Sequence, residues 1–245
     1  MGSGNDTSAE ADKKQTWCNT LPEPGVADAK AKKLVMDTLN KDVMAKVEFY
    51  VSGLKFGCTP ESYKQIKLRV QFDDIRVYER EGANAWGMSL FGLIDLPSDA
   101  AYYRDLDIMV IRASGTDIYH QAIIVHECTH AILDMFGSKG KPLSVSTARS
   151  EAVAYIAQAV YARASYDALG FKNKSNPFDG GKDAHLQKVF DTAWDIAAKI
   201  LAGNKRVEDA DLTKIMDSIP KSNTYKNKPK NIDFNGIALR PASCA

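Results

Sequence analysis

Apolar residues recur with a helical period along most of the chain, and period-two alternation is confined to a few short stretches. Over 27–48, Leu34, Val35, Leu39, Val43 and Val47 fall on one stripe and predict a helix. Over 67–79, Leu68, Val70 and Phe72 alternate with polar residues, and Ile75 and Val77 follow Asp73-Asp74, which predicts strand. Residues 85–96 and 106–112 are two further strand candidates, the second rich in β-branched residues. Ser114-Gly115-Thr116-Asp117 reads as a turn, with Thr116 or Asp117 capping a long helix. Gly137 is placed to end that helix, and 138–145, containing Gly140 and Pro142, reads as a polar turn. Ser146 or Thr147 caps a second long helix over 148–168, whose apolar stripe is Val153, Ile156, Ala157 and Val160. Two more helices are predicted over 184–201 and 207–215.

Strands that precede the long helices predict an α+β fold, with a small, mostly antiparallel sheet packed against a helical half. Residues 1–25 are polar and read as an N-terminal arm, 26–218 as one folded domain, and 219–245 as a polar tail. Lys221, Lys226, Lys228 and Lys230 among Asn and Ser make that tail read as solvated and irregular.

Composition narrows the function classes. At 245 residues and 44% hydrophobic, the chain has enough apolar material for a substantial single core. A net charge of +1 gives no electrostatic case for nucleic acid. No apolar run approaches a membrane span, and the first residues lack the apolar run of a signal peptide. Met1-Gly2-Ser3-Gly4 resembles an added start, so removal of a leader, and with it export, stays open. The four cysteines, Cys18, Cys58, Cys128 and Cys244, show no C-x-x-C spacing, which argues against a thiolate metal site. Cys18 and Cys244 lie near the two termini, where a disulfide between them is one alternative.

Candidate chemistry is concentrated at His126-Glu127-Cys128-Thr129-His130, in a chain with only four histidines. With His126 as origin and about 100° per residue, His130 lies near about 40° and Glu127 near about 100°. Ile124, Cys128, Ala131 and Met135 cluster near about 180°, so a core stripe is opposite a chemical face. Two imidazoles one turn apart can reach a single Zn²⁺, and the Glu beside them can act on a water at that ion. This is the pattern of metal-dependent hydrolysis, with Glu127 as general base. The metzincin continuation fails, because positions 133 and 136 are Leu133 and Phe136.

A third ligand is needed. Asp134 lies about 12 Å along the axis from His126, too far to share one ion with it. It reads equally as an acceptor for His130 or as a solvated charge near the helix end. Glu151 is the better candidate: it is the one carboxylate on the 148–168 helix before Asp167, on the side shared with Tyr155, Gln158 and Ala162. The competing reading of Glu151 is a first-turn glutamate favoured by the helix dipole.

An HExxH motif followed by Glu on the next helix, 25 residues after the first His, resembles the gluzincin type of zinc metallopeptidase. The short spacing, and Glu151-Ala152-Val153-Ala154, is similar to minimal gluzincins such as the bacterial metallopeptidases that cleave phage repressors. The resemblance covers roughly residues 105–165. It implies that His126, His130 and Glu151 ligate Zn²⁺, that Glu127 is catalytic, and that a peptide or protein is the substrate. One departure stands out. The thermolysin-type pattern has Asn before the ligand Glu and Asp four after it, where this chain has Ser150 and Tyr155.

Such peptidases also use a donor facing the oxyanion. Tyr155, Tyr102, Tyr103, His120, His185 and Arg149 are the candidates, with Tyr155 placed nearest by its position on the Glu151 face. Two alternatives to a peptidase stay open: a zinc-dependent amidase acting on a non-protein or cell-wall substrate, and a non-catalytic zinc-containing binding module.

Overall fold

In the computed structural model, residues 25–80, 100–138, 141–171 and 175–237 are described. The strand expected over 85–96, Cys18, Cys244 and residues 1–24 of the expected arm lie outside them. Among the described residues there are six α-helices and three sheets of two or three strands, an α+β architecture. No helix among the described residues is long and apolar enough to cross a membrane.

The first half of the chain differs from its patterning in two places. The predicted 27–48 helix is α1 (Val26–Leu39), ended by Asn40, and a 3-10 turn (Asp42–Lys46) that carries Val47 into the core. The predicted 67–79 strand divides into α2 (Pro60–Gln71) and β3 (Arg76–Glu79). Helix wins up to Gln71 because Thr59 Oγ1 accepts the Ser62 N–H, Pro60 sits at the first helical position, and Tyr63, Ile66 and Val70 are buried at helical spacing. Phe72, the last of the apparent alternating set, is left 66% exposed. Asp73 then turns the chain with a left-handed φ of 61°.

Short strands surround these helices. β1 (Phe49–Val51) pairs antiparallel with β2 (Gly57–Cys58) and parallel with β7 (Arg206–Val207), so part of the predicted 207–215 helix is strand and α6 runs over Asp209–Ser218. In the second sheet, β5 (Ile108–Ile111) is central. It runs parallel to β3 and antiparallel to β4 (Ala100–Tyr103), with Tyr102 opposite Met109. Among the described residues, that order leaves β4 at one edge of the sheet.

Helix α3 (Ile118–Phe136) carries the HExxH motif, and Asp117 caps it by accepting the His120 N–H. Of the expected stripe, Ile124, Cys128 and Ala131 are buried and Met135 is half-buried, and Val125, Ile132 and Leu133 are buried as well. Next comes β6 (Leu143–Ser146), within what the patterning reads as turn, and then α4 (Thr147–Ala168), capped by Ser146 Oγ. Every residue of α4 from Ala152 to Ala162 is buried. Its many alanines let neighbouring elements pack close on all sides, which is why its apolar stripe understates its burial. Helix α5 (Ala184–Leu201) covers α4 from outside.

The expectation of a solvated, irregular tail from 219 onward does not hold for 219–237. β8 (Asn231–Phe234) pairs antiparallel with β6, Leu143 opposite Phe234, and Phe234 is buried with Leu133 and Val145. The four lysines are exposed, as their charge requires. Gly137 ends α3 with an ordinary φ of −73°. A side chain is excluded there by contact: a Cβ at Gly137 would lie 1.9 Å from the Phe234 carbonyl oxygen.

Candidate metal centre

Helical geometry puts His126 and His130 one above the other on α3, and α4 delivers Glu151 across from them. The His126 and His130 Nε2 atoms stand 3.2 Å apart, and Glu151 Oε2 lies 3.3 Å from the first and 3.6 Å from the second. Metal–ligand bonds of about 2.0–2.1 Å place the vertices of a tetrahedron about 3.3–3.4 Å apart. The three donor atoms therefore form one face of a tetrahedron of the size a small divalent cation takes, and the group can hold such an ion.

Each imidazole is oriented through its other nitrogen. His126 Nδ1 lies 3.0 Å from Gln158 Oε1 and His130 Nδ1 3.0 Å from Ser150 Oγ, hydrogen bonds that turn both Nε2 atoms towards Glu151. Ser150 and Gln158 are both buried. Glu151 Oε2 also accepts the Tyr225 hydroxyl at 2.8 Å. Burial by itself raises the Glu151 carboxyl, but the positive field of His130 and its contacts with both imidazoles outweigh this and hold it well below the usual carboxylate range. Burial lowers His130, but the charge and hydrogen bond of Glu151, together with the Glu127 charge, outweigh it and raise the imidazole above its ordinary value.

Glu127 is buried beside the His126–His130–Glu151 cluster, and its Oε2 accepts the backbone N–H of Tyr102 on β4 at 2.8 Å. Burial, helped by the Glu151 charge, raises its carboxyl above the ordinary value, against the lowering fields of His126 and His130. A carboxylate so placed is a stronger base than one in water.

Tyr155 is in the site, but its hydroxyl is engaged. The ring stands edge-on to His126 at 4.6 Å, and its oxygen lies 2.7 Å from that of Tyr225. Tyr102 directs its hydroxyl away from the ligands, to Asp134 at 2.9 Å and Asp107 at 3.2 Å. Tyr103 is half-buried, and its phenol is pushed up to about 12 by burial and by the negative field of Glu127. His120 pairs with Asp117 at the start of α3, His185 sits exposed on the first turn of α5, and Arg149 donates to the Ser52 carbonyl.

Asp134 takes neither of its expected roles. It is completely buried, the acceptor at His130 Nδ1 is Ser150, and its own oxygens accept the Tyr102 hydroxyl and the Gly236 N–H. Cys58 and Cys128 are free and buried, and burial pushes the Cys58 thiol up to about 12.

Three contributors are invisible to local patterning. Gln158 shares the Glu151 face of α4, so its position is readable while its partner is not. The Tyr102 N–H is a backbone group, with no residue-type signal. Tyr225 lies among lysines and asparagines, 74 residues from the carboxylate it touches.

No protein-family model matches the chain, and neither curated proteins nor solved structures yield a match to it.

Proposed function

We propose that this protein is a zinc-dependent hydrolase of gluzincin type that cleaves peptide bonds, with His126, His130 and Glu151 as metal ligands and Glu127 as general base. The observation that carries this reading is the tetrahedral face formed by the three donor atoms, with a buried, hydrogen-bonded carboxylate beside it. Two neutral imidazoles and one carboxylate are the donor set of many catalytic zinc sites, and three protein ligands leave a coordination position for water or substrate.

Zinc, when bound, supplies Lewis acidity that brings the pKa of a water towards neutrality. The protein's own part is division of labour between two carboxylates. Glu151 faces both Nε2 atoms and serves as ligand. Glu127, kept out of the ligand set by the β4 N–H that holds its Oε2, takes the proton of the attacking water and passes it to the leaving amine. The substrate in this reading is a peptide or protein segment, because the site lies beside β4, which is at the sheet edge among the described residues and along which an extended chain can be accommodated.

The test is Glu127→Gln in the full chain, assayed on a mixed peptide library with metal content measured in parallel. The expected result is retention of about one equivalent of zinc with hydrolysis reduced by at least the about 10²–10⁴-fold that general-base catalysis contributes. Full activity in this variant would remove Glu127 from the mechanism. A wild-type chain that takes up no metal would remove the whole reading.

A further inference from the structure

We infer that Tyr225 is a positioning residue of the metal centre, so that the C-terminal segment 222–237 completes the site. This deepens the proposed function and rests on its reading that His126, His130 and Glu151 hold a metal ion.

The Tyr225 hydroxyl donates to Glu151 Oε2, the same oxygen that faces both Nε2 atoms. A phenol has one proton, and here it is committed to the carboxylate. The 2.7 Å contact between the two phenols therefore has Tyr155 as donor and the Tyr225 oxygen as acceptor. Tyr155 in turn packs its ring against His126, so a continuous path runs from one ligand, through two phenols, to another. Glu151 has three side-chain torsions, and this bond restrains the carboxylate with one oxygen turned to both imidazoles.

Tyr225 is itself held from both sides. Completely buried Ser222 accepts the N–H groups of Tyr225 and Lys226, and the Asn223 N–H bonds Asp183 at the cap of α5. Downstream, the Thr147 N–H bonds the Lys230 carbonyl and the Thr147 hydroxyl bonds that of Pro229. Thr147 is one turn before Glu151 on α4, so the segment is tied to the very helix whose carboxylate it orients.

The experiment compares metal affinity, by chelator competition with Zn²⁺ and by the visible spectrum of the Co²⁺ form, across full-length variants. Tyr225→Phe is expected to weaken affinity by about 10- to 100-fold, the range for partners that orient a ligand, and to shift the Co²⁺ bands. Tyr155→Phe is expected to weaken it less, and to add little in a Tyr225→Phe background because its hydroxyl acts through Tyr225. Thr147→Val cuts one tie while leaving Tyr225 in place, and is expected to weaken binding by a smaller factor; it also serves if Tyr225→Phe does not fold. A Tyr225→Phe protein that melts at a lower temperature without metal, yet binds Zn²⁺ and Co²⁺ as tightly as wild type, would show a merely structural tyrosine and overturn the proposal, as would unchanged affinity in Thr147→Val should Tyr225→Phe not fold. Absence of metal binding by the wild type would instead overturn the metal reading beneath it.

Discussion

Helices α3 and α4 and the C-terminal segment 222–237 both reach the candidate metal centre, by opposite means. The helices supply His126, Glu127, His130, Ser150, Glu151 and Gln158 from two long, capped, buried elements, where spacing along the chain alone sets which side chains share a face. The segment supplies a phenol at Tyr225, a backbone N–H at Gly236 and an apolar anchor at Phe234, each placed by a different distant contact. Strand β4 behaves like the segment, reaching Glu127 through a backbone N–H and Asp134 through a hydroxyl, both from Tyr102. The difference teaches where the two kinds of information reside. Donor atoms are assembled by local helical geometry, and their orientation is fixed by partners remote in sequence.

The largest expected effect lies on the helical side. His130→Ala removes a vertex of the tetrahedral face and should abolish stoichiometric zinc binding, a greater loss than the roughly 10- to 100-fold cost of losing an orienting partner. Elemental analysis after dialysis measures it. Binding at wild-type strength in this variant would break the comparison, since ligation would then lie elsewhere.

Next is Gly137→Ala, which probes the join between the two regions. A Cβ there meets the Phe234 carbonyl oxygen at 1.9 Å, a backbone atom that cannot rotate aside. Either α3 or β8 must shift, and a loss of about 2–3 kcal/mol is expected in urea unfolding. A loss under about 0.5 kcal/mol, within the range of inert surface changes, would mean that β8 can leave α3 at little cost and that the segment is a loose attachment.

The smallest of the three is Gln158→Ala. It deletes the acceptor at His126 Nδ1 while leaving all three ligands and Tyr225 in place. Zinc affinity should fall by about tenfold, equivalent to about 1.4 kcal/mol, with the fold intact by circular dichroism. If Gln158→Ala costs as much as Tyr225→Phe, orientation is shared evenly between the helices and the segment, and the contrast drawn above narrows.

Much of this was legible in the sequence because helices are periodic. The burial of Ile124, Cys128 and Ala131 follows from residue type and spacing, which also narrow the α3 cap to Thr116 or Asp117, the α4 cap to Ser146 or Thr147 and the partner of the two His to Glu151 as the better candidate. The structure selects Asp117 and Ser146 and brings His126, His130 and Glu151 together. Short apolar runs were less readable. Leu68, Val70 and Phe72 alternate as a strand would, yet Thr59-Pro60 starts a helix through the first two and leaves Phe72 at its end, because a cap and a buried Tyr63/Ile66/Val70 stripe outweigh a weak period-two signal. β6 was read as turn, since a four-residue strand with two serines has little signal until β8 pairs with it.

By itself the sequence determined which side chains could do chemistry and on which helical faces they lie, since 3.6 residues per turn acts within a few positions. Only the tertiary structure decided how those side chains are held. Ser150 at His130, Gln158 at His126, the Tyr102 N–H at Glu127 and Tyr225 at Glu151 are single hydrogen bonds between elements, three of them from residues 20, 32 and 74 positions away. A hydrogen bond depends on distance and angle in space and leaves no periodic trace along the chain. The HExxH motif therefore announces a candidate metal site, while the fold brings in the partners that orient its side chains.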